Sequence, residues 1–458
     1  MKSNHLKFTP KIIILGIFSL QMIWAYPGFG KKINPEMSES CSQCHVAFPK
    51  LRLYGRTIRE IGYNVPKTES EDEGLIKSIY RSIPIGIRGK LDIADTHNGK
   101  SMLSLVQLLS SGTVLNNKLA WWYHKHLYDI EDDKDSKLFD PDKFIPINEG
   151  EIHEVWLQYN HSTGLNVRAG MYELPFWFSP VKTKVGESDY LVYGATGNPD
   201  MSGTLAAPQF GIALNGYLSK GKSEDDWGDE SEDNYAEGYN YAITVTNGKS
   251  EIPQGSDINL NTFYGRITKK EYSYAAGLWA LTGMAEFMPE DEHDDHAMKT
   301  MEMDDNMDSK RYYRLGADID LFLKGDDVNL YGSFIYGNDI DRDFVGGLIG
   351  YDHLILPKLF GLVRLDGVFF LNGDVMEDDD PHDEDGGDDH GEEEEGGHDA
   401  GHVTVIMDDA SSFSAGIYYL PFTNIRVGFE YVYQLNGDIG KDIHGKGGKG
   451  IFQIQFGF

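Results

Sequence analysis

Cysteine is nearly absent from this chain, with two residues in 458, at Cys41 and Cys44, so a disulfide-rich scaffold is excluded. Long apolar runs are missing as well. Beyond the first twenty-five residues no continuous stretch approaches the ~20 apolar residues that a spanning helix requires, so any membrane crossing must use another architecture. Positive charge is also in short supply. Lys and Arg number 41 against 73 Asp and Glu, a formal net charge of −32, and no nucleic acid partner is expected of so acidic a chain.

The first segment carries Lys2, Lys7 and Lys11, then Ile12-Ile13-Ile14-Leu15-Gly16-Ile17-Phe18, and Ile23-Trp24-Ala25 as a cleavage site. This order predicts a secretory signal peptide over 1–25, with an apolar core too short to cross a bilayer. The two cysteines follow in Cys41-Ser42-Gln43-Cys44-His45. Two thiols at that spacing reach the two vinyl groups of one porphyrin, and the adjacent imidazole falls beneath the iron.

A disulfide, half a zinc site or a redox Cys-x-x-Cys are the other readings of the motif. Zinc would want further ligands, and no Cys or His lies between residues 46 and 96. The following histidine and the export signal favour one covalent haem c, with Cys41 and Cys44 as attachment points. His45 is then the proximal iron ligand and the candidate redox residue. Met37, His97 and Met102 are the distal candidates. Residues 26–82 form the corresponding small module, too short to build an apolar core without the cofactor. Its expected helical portion runs through Leu51, Leu53, Ile58 and Ile61, with Arg52, Arg56 and Arg59 either covering haem propionates or facing water.

The chain holds 52 glycines, 26 tyrosines and 23 phenylalanines, and its remainder, 83–458, alternates with period two. Tyr313, Leu315, Ala317, Ile319 and Leu321 share one face, and Tyr312, Arg314, Gly316, Asp318 and Asp320 the other. Similar alternation places Ile425, Val427, Phe429, Tyr431 and Tyr433 opposite Arg426, Gly428, Glu430, Val432 and Gln434. It recurs at Phe452, Ile454, Phe456 and Phe458. Such runs lie near 84–95, 101–114, 118–128, 151–160, 164–173, 207–218, 237–247, 257–268, 271–283, 311–323, 328–337, 343–355, 360–372, 411–420, 423–434 and 449–458.

A soluble sandwich also alternates, but about sixteen runs of membrane-strand length, an even number, predict a transmembrane antiparallel β-barrel. Its connections should alternate short inner turns with long outer loops. Lys324-Gly325-Asp326-Asp327, Pro421-Phe422-Thr423-Asn424 and Lys269-Lys270-Glu271 fall at inner turns, and 129–150, 174–206, 284–310 and 373–410 at outer loops. Residues 219–236 are too long for an inner turn: either a strand is missed there, or the barrel has an unusual acidic inner loop. The expected fold is mainly β, a barrel with a small α-helical haem module as a candidate lumen plug.

Two outer loops carry metal-binding side chains. Residues 377–409 hold sixteen acidic residues with His382, His390, His398 and His402 and no Lys or Arg. Residues 284–310 hold His293 and His296 among acids, then Met298, Met301, Met303 and Met307. Both loops are either solvating brushes or attractors of divalent metal ions. Carboxylate with imidazole suits ferrous iron, while thioethers leave copper open.

Phe48-Pro49-Lys50-Leu51-Arg52-Leu53-Tyr54-Gly55-Arg56, followed by Ile61-Gly62-Tyr63, resembles the pattern after the haem motif in the fused monohaem cytochrome c–porin family. Tyr26-Pro27-Gly28-Phe29-Gly30 is similar to that family's start, so the resemblance covers about 26–66. Val167 to Phe176 looks like a strand of phosphate-selective porins, and the final Phe458 resembles the terminal aromatic signature of outer-membrane barrels.

The cytochrome–porin resemblance implies an outer-membrane electron-transfer protein that oxidises extracellular Fe(II) at a c-type haem and passes the electron to a soluble periplasmic cytochrome. The haem module would lie in the lumen or on the periplasmic side of a barrel surrounded by outer-membrane lipid. Two alternatives stand: a diffusion porin with an accessory haem, and an outer-membrane receptor for copper or iron.

Overall fold

The computed structural model describes residues 45–47, 50–51, 55–56, 59, 85–95, 102–115, 118–129, 152–178, 186, 188, 190–195, 205, 207–219, 237–249, 259–287, 308–324, 327–339, 342–371, 409–422, 425–436 and 447–457. A short hairpin comes first, β1 (His45–Ala47) with β2 (Lys50–Leu51). Sixteen long strands follow: β3 (Ile85–Asp95), β4 (Met102–Val114), β5 (Leu119–Asp129), β6 (Ile152–Ser162), β7 (Leu165–Tyr172) and β8 (Gln209–Ser219). Next are β9 (Gly238–Thr246), β10 (Thr262–Glu271), β11 (Tyr274–Phe287), β12 (Asp308–Leu323) and β13 (Val328–Asp339). The last are β14 (Arg342–Leu356), β15 (Leu359–Phe370), β16 (Ala410–Phe422), β17 (Ile425–Asn436) and β18 (Gly447–Gly457).

Each long strand pairs antiparallel with its neighbours, and β18 closes on β3 with Gly457 opposite Arg88, which makes a closed barrel of sixteen strands. Every alternating run of the sequence corresponds to one of these strands. Alternation sets the two surfaces. On β12, Leu315 and Ile319 are 51% and 47% exposed, whereas Arg314 and Asp320 are 0% exposed. The exposed set is apolar around the wall, including Leu157, Ile243, Phe263, Leu278, Phe334, Ile349, Leu365 and Phe429. An outward apolar surface on a closed sheet that leaves no free edge is what a lipid-spanning barrel requires. Among the described residues, no helix is long and apolar enough to cross a membrane.

Glycine has a packing use on this wall. The Trp279 ring on β11 lies across Gly316 of β12, where an added Cβ would meet Trp279 Cε2 at 2.1 Å, and Tyr418 covers Gly428 in the same way. Large rings therefore lie flat along the wall where the neighbouring strand has no side chain.

The strand ends near Ile85 and Gly457 lie on one end of the barrel, with the tight connections 163–164, 272–273, 324–327, 357–358 and 423–424. The long connections at the opposite end include 130–151, 173–208, 288–307 and 371–409, while β13 and β14 there are separated by two residues only. The segment 219–236 joins β8 and β9, which are direct neighbours in the sheet. Ser219 is opposite Gly238 and the β8–β9 ladder continues unbroken to Gly211 and Thr246, so it is a long connection at the tight-turn end. Its residues from 220 to 236 include Glu224, Asp225, Asp226, Asp229, Glu230, Glu232 and Asp233.

Candidate lumen site

The connection after β7 is not a simple outer loop, as its position in the sequence predicts. It folds back into the barrel. Leu174, Phe176, Trp177, Phe178, Tyr190, Val192 and Tyr193 are buried against the lumen-facing Tyr264, Trp279, Tyr312, Tyr331, Ile335, Phe344 and Leu348. The reason is compositional: this connection carries an apolar and aromatic set that water does not accommodate, unlike its acidic neighbours. Phe176 stacks on Tyr193 at 5.1 Å and meets Trp279 edge-on at 5.0 Å.

Polar anchors fix the fold-back. Arg266 Nη1 donates to the Pro175 carbonyl at 2.9 Å, and the Leu191 N–H donates to Asp366 Oδ2 at 2.8 Å, at the start of the short helix α1 (Leu191–Gly194). Arg364 Nη2 donates to Ser188 Oγ at 2.8 Å and its guanidinium lies 4.6 Å from the Tyr190 ring. Burial pushes the Tyr190 and Tyr193 phenols well above the ordinary tyrosine range, so both remain neutral in the lumen.

The N-terminal segment enters the same lumen. Lys50 Nζ donates to Asp352 Oδ2 at 2.9 Å and to Asn329 Oδ1 at 3.0 Å, close to the tight-turn end of β13 and β14. Arg56 pairs with Asp320 and packs 5.2 Å from the Trp177 ring, and Trp177 Nε1 donates to the same Asp320 Oδ2 at 2.9 Å. Asn329 Nδ2 also donates to Asp320 Oδ1 at 3.2 Å, which joins the Lys50 and Arg56 anchors into one network. Arg59 Nη2 lies 2.9 Å from Glu173 Oε2, at the point where the inward connection leaves β7. From Lys50 to Arg59 the chain thus ascends the lumen from its tight-turn end toward the inward connection.

Arg56 and Arg59 are thus each paired with a lumen carboxylate, Asp320 and Glu173. The expected helix is only partly matched: Leu51 lies in β2, Gly55, Arg56 and Arg59 have helical backbone, and Leu53, Ile58, Ile61 and Arg52 lie outside the described residues. Of the haem motif, His45 opens β1 with its backbone opposite Leu51, while Cys41 and Cys44 lie outside the described residues. So do Met37, His97, His293, His296, His382, His390, His398 and His402, and the loop methionines Met298, Met301, Met303 and Met307. Met102 opens β4 opposite Asp92.

The donor set fits a covalent haem. Two thiols and an imidazole at Cys41, Cys44 and His45 are the set that attaches and ligates such a group, and His45 opens the hairpin whose second strand Lys50 ties to the wall. Sequence reasoning missed the wall residues that hold this segment, Asp320, Asn329, Asp352 and Glu173. The available signal was a run of carboxylates on the polar face of predicted strands, which exceeds what a water-filled face needs.

No family model and no curated protein matches this chain. Among solved structures it is similar to the outer-membrane channel DcaP of Acinetobacter baumannii, at 12% identity and a TM-score of 0.46, over 82% of this chain and 96% of that one. It is also similar to Salmonella typhi OmpF in complex with daunomycin, at 10% identity and a TM-score of 0.49, over 82% and 97%. The anion-selective porin of Comamonas acidovorans gives 10% identity and a TM-score of 0.45, over 82% and 100%. The barrel assignment itself rests on the strand pairing, and the resemblance of residues 26–66 to cytochrome–porin fusions has no counterpart in these comparisons.

Proposed function

We propose that this chain is a bacterial outer-membrane electron-transfer barrel that oxidises extracellular Fe(II) to Fe(III) and delivers the electron to a soluble periplasmic cytochrome. One observation carries the reading. The chain that directly follows Cys41-Ser42-Gln43-Cys44-His45 is strapped inside the barrel by three ion pairs, Lys50–Asp352, Arg56–Asp320 and Arg59–Glu173. A c-type haem bound by Cys41 and Cys44, with His45 as axial ligand, supplies a one-electron couple.

The rest of the chain contributes placement and charge. Lys50 holds the hairpin that begins at His45 near the tight-turn end, where a periplasmic partner would dock, and Arg56 packs against Trp177 inside the lumen. The acidic connections 288–307 and 371–409 emerge at the opposite end, where their field concentrates divalent cations. Iron oxidised there stays outside, which matters because ferric iron precipitates at neutral pH. The apolar outer surface of the barrel and the predicted signal peptide support the outer membrane as its location.

The second reading, a diffusion porin with an accessory haem, is favoured by the barrel architecture with one connection folded inward. The discriminating experiment is anaerobic addition of Fe²⁺ to oxidised, haem-loaded protein at neutral pH. Electron transfer predicts prompt appearance of reduced haem bands; a haem that responds only to dithionite favours the porin.

A further inference from the structure

Three histidines and a glutamate meet on β5 and β6 in the half of the barrel nearer the long connections. His124 is opposite Glu154 in the ladder, and both share the inward face with Ala120, Trp122 and Trp156. His126 lies two residues along the same strand, its Nε2 2.9 Å from Gln107 Nε2. By alternation His153 belongs with Val155 and Leu157 on the lipid face. It does not face that way.

The ladder steps from Lys125 opposite Ile152 to His124 opposite Glu154, which leaves His153 as a bulge residue. Its ring then lies 4.7 Å from the His124 ring and stacks on His126 at 5.3 Å and 11°. A second bulge follows where the β4–β5 ladder steps from Gln107 opposite His126 to Val106 opposite Tyr128. Bulges give up ladder pairing to re-aim side chains, and they gather beside functional sites. His124, His126, His153 and Glu154 are 2%, 4%, 8% and 1% exposed.

We propose that His124, His153 and Glu154 bind one borderline divalent transition-metal ion, with His126 beside it. A ligand atom from each of the three lies within 4.8 Å of the other two. Metal–ligand bonds of about 2.1 Å place ligand atoms roughly 3–4 Å apart, so small side-chain rotations close the site. Neutral imidazole with a carboxylate and no thiolate selects Fe²⁺, Zn²⁺ or Cu²⁺ over Mg²⁺ or Cu⁺. The supporting contacts are also in place. Glu154 Oε1 accepts the Glu173 N–H at 3.1 Å, and Glu173 is paired with Arg59, so one residue links the cluster to the strap of the N-terminal segment.

That the ion taken up in the cell is Fe²⁺ rests on the function proposed above; the site itself does not. Full-length, haem-loaded protein in detergent is dialysed to equilibrium against Zn²⁺ at high salt, where the acidic connections are screened, and retained metal is counted by mass spectrometry. The expected result is one tightly held ion. His153→Ala and the near-isosteric Glu154→Gln should each weaken it more than about tenfold while the barrel keeps its heat-modifiable mobility on gels. One equivalent of Cu²⁺ added to the unaltered protein should give a resonance spectrum split by imidazole nitrogen, a readout that needs no variant to fold. Absence of a tight equivalent, an oxygen-only copper spectrum, or retention unchanged in both variants overturns the site. A bound Zn²⁺ with a haem unresponsive to Fe²⁺ keeps the site and sinks the electron-transfer reading.

Discussion

Arg56 and Asp320, 264 residues apart in sequence, form a buried ion pair inside the barrel, and Trp177 of the inward connection shares the same carboxylate. Three separate stretches of chain thus converge on one side chain of β12. Removing one partner of a buried pair leaves an uncompensated charge, which costs about 3–5 kcal/mol.

Arg56→Ala should therefore release the strap rather than unfold the wall, whose ladders do not involve it. Asp320 keeps Trp177 and Asn329 as donors, so a loss near the lower end, about 3 kcal/mol, is expected. Limited proteolysis from the tight-turn side should now cut at Lys50 or Arg59, and planar-bilayer conductance should rise. A variant as protease-resistant and as closed as the parent would show that the strap does not depend on this pair.

Lys50 and Asp352 should be energetically coupled. Lys50→Met, Asp352→Asn and the double variant form a cycle in which the double variant costs less than the two single losses combined, because each single change strands a buried polar partner. The interaction should be about 1–3 kcal/mol in the denaturant dependence of haem-segment release. Strict additivity would mean that the 2.9 Å contact contributes nothing.

Cys44→Ala should lose covalent haem, read as haem staining on denaturing gels, and still insert as a heat-modifiable barrel. The sixteen strands pair without any contribution from residue 44. Failure of the barrel to form would tie the two parts of the chain together in assembly.

Deleting 377–406 should slow haem reduction by Fe²⁺ chiefly at low ionic strength, with the two proteins converging as salt rises toward about 1 M, where the Debye length falls to about 3 Å. Equal rates at low salt would make this acidic stretch a passive solvating segment.

The wall was legible in the sequence because period two is imposed by the strand itself. Tyr312, Arg314, Asp318 and Asp320 face inward in the order their spacing dictates, and all sixteen runs became strands. What lies inside the wall was less legible. That the connection after β7 turns inward depends on Phe176 and Tyr193 meeting Trp279 and Tyr264, partners on other strands that no local pattern names. Arg56 and Arg59 have no local sign of their partners, because Asp320 and Glu173 stand far along the chain. His153 was hidden for the opposite reason: a one-residue bulge reverses its side, and period-two reading assigns it to lipid.

The most direct measurement uses vesicles containing the haem-loaded protein, with oxidised cytochrome c and an Fe²⁺-specific chromogenic chelator trapped inside and Fe²⁺ supplied outside under anaerobic conditions. An electron conduit predicts reduction of the trapped cytochrome while the chelator stays colourless, because electrons cross and iron does not. Coloured chelator ahead of, or in place of, electron delivery would contradict the account and identify the barrel as an open pore.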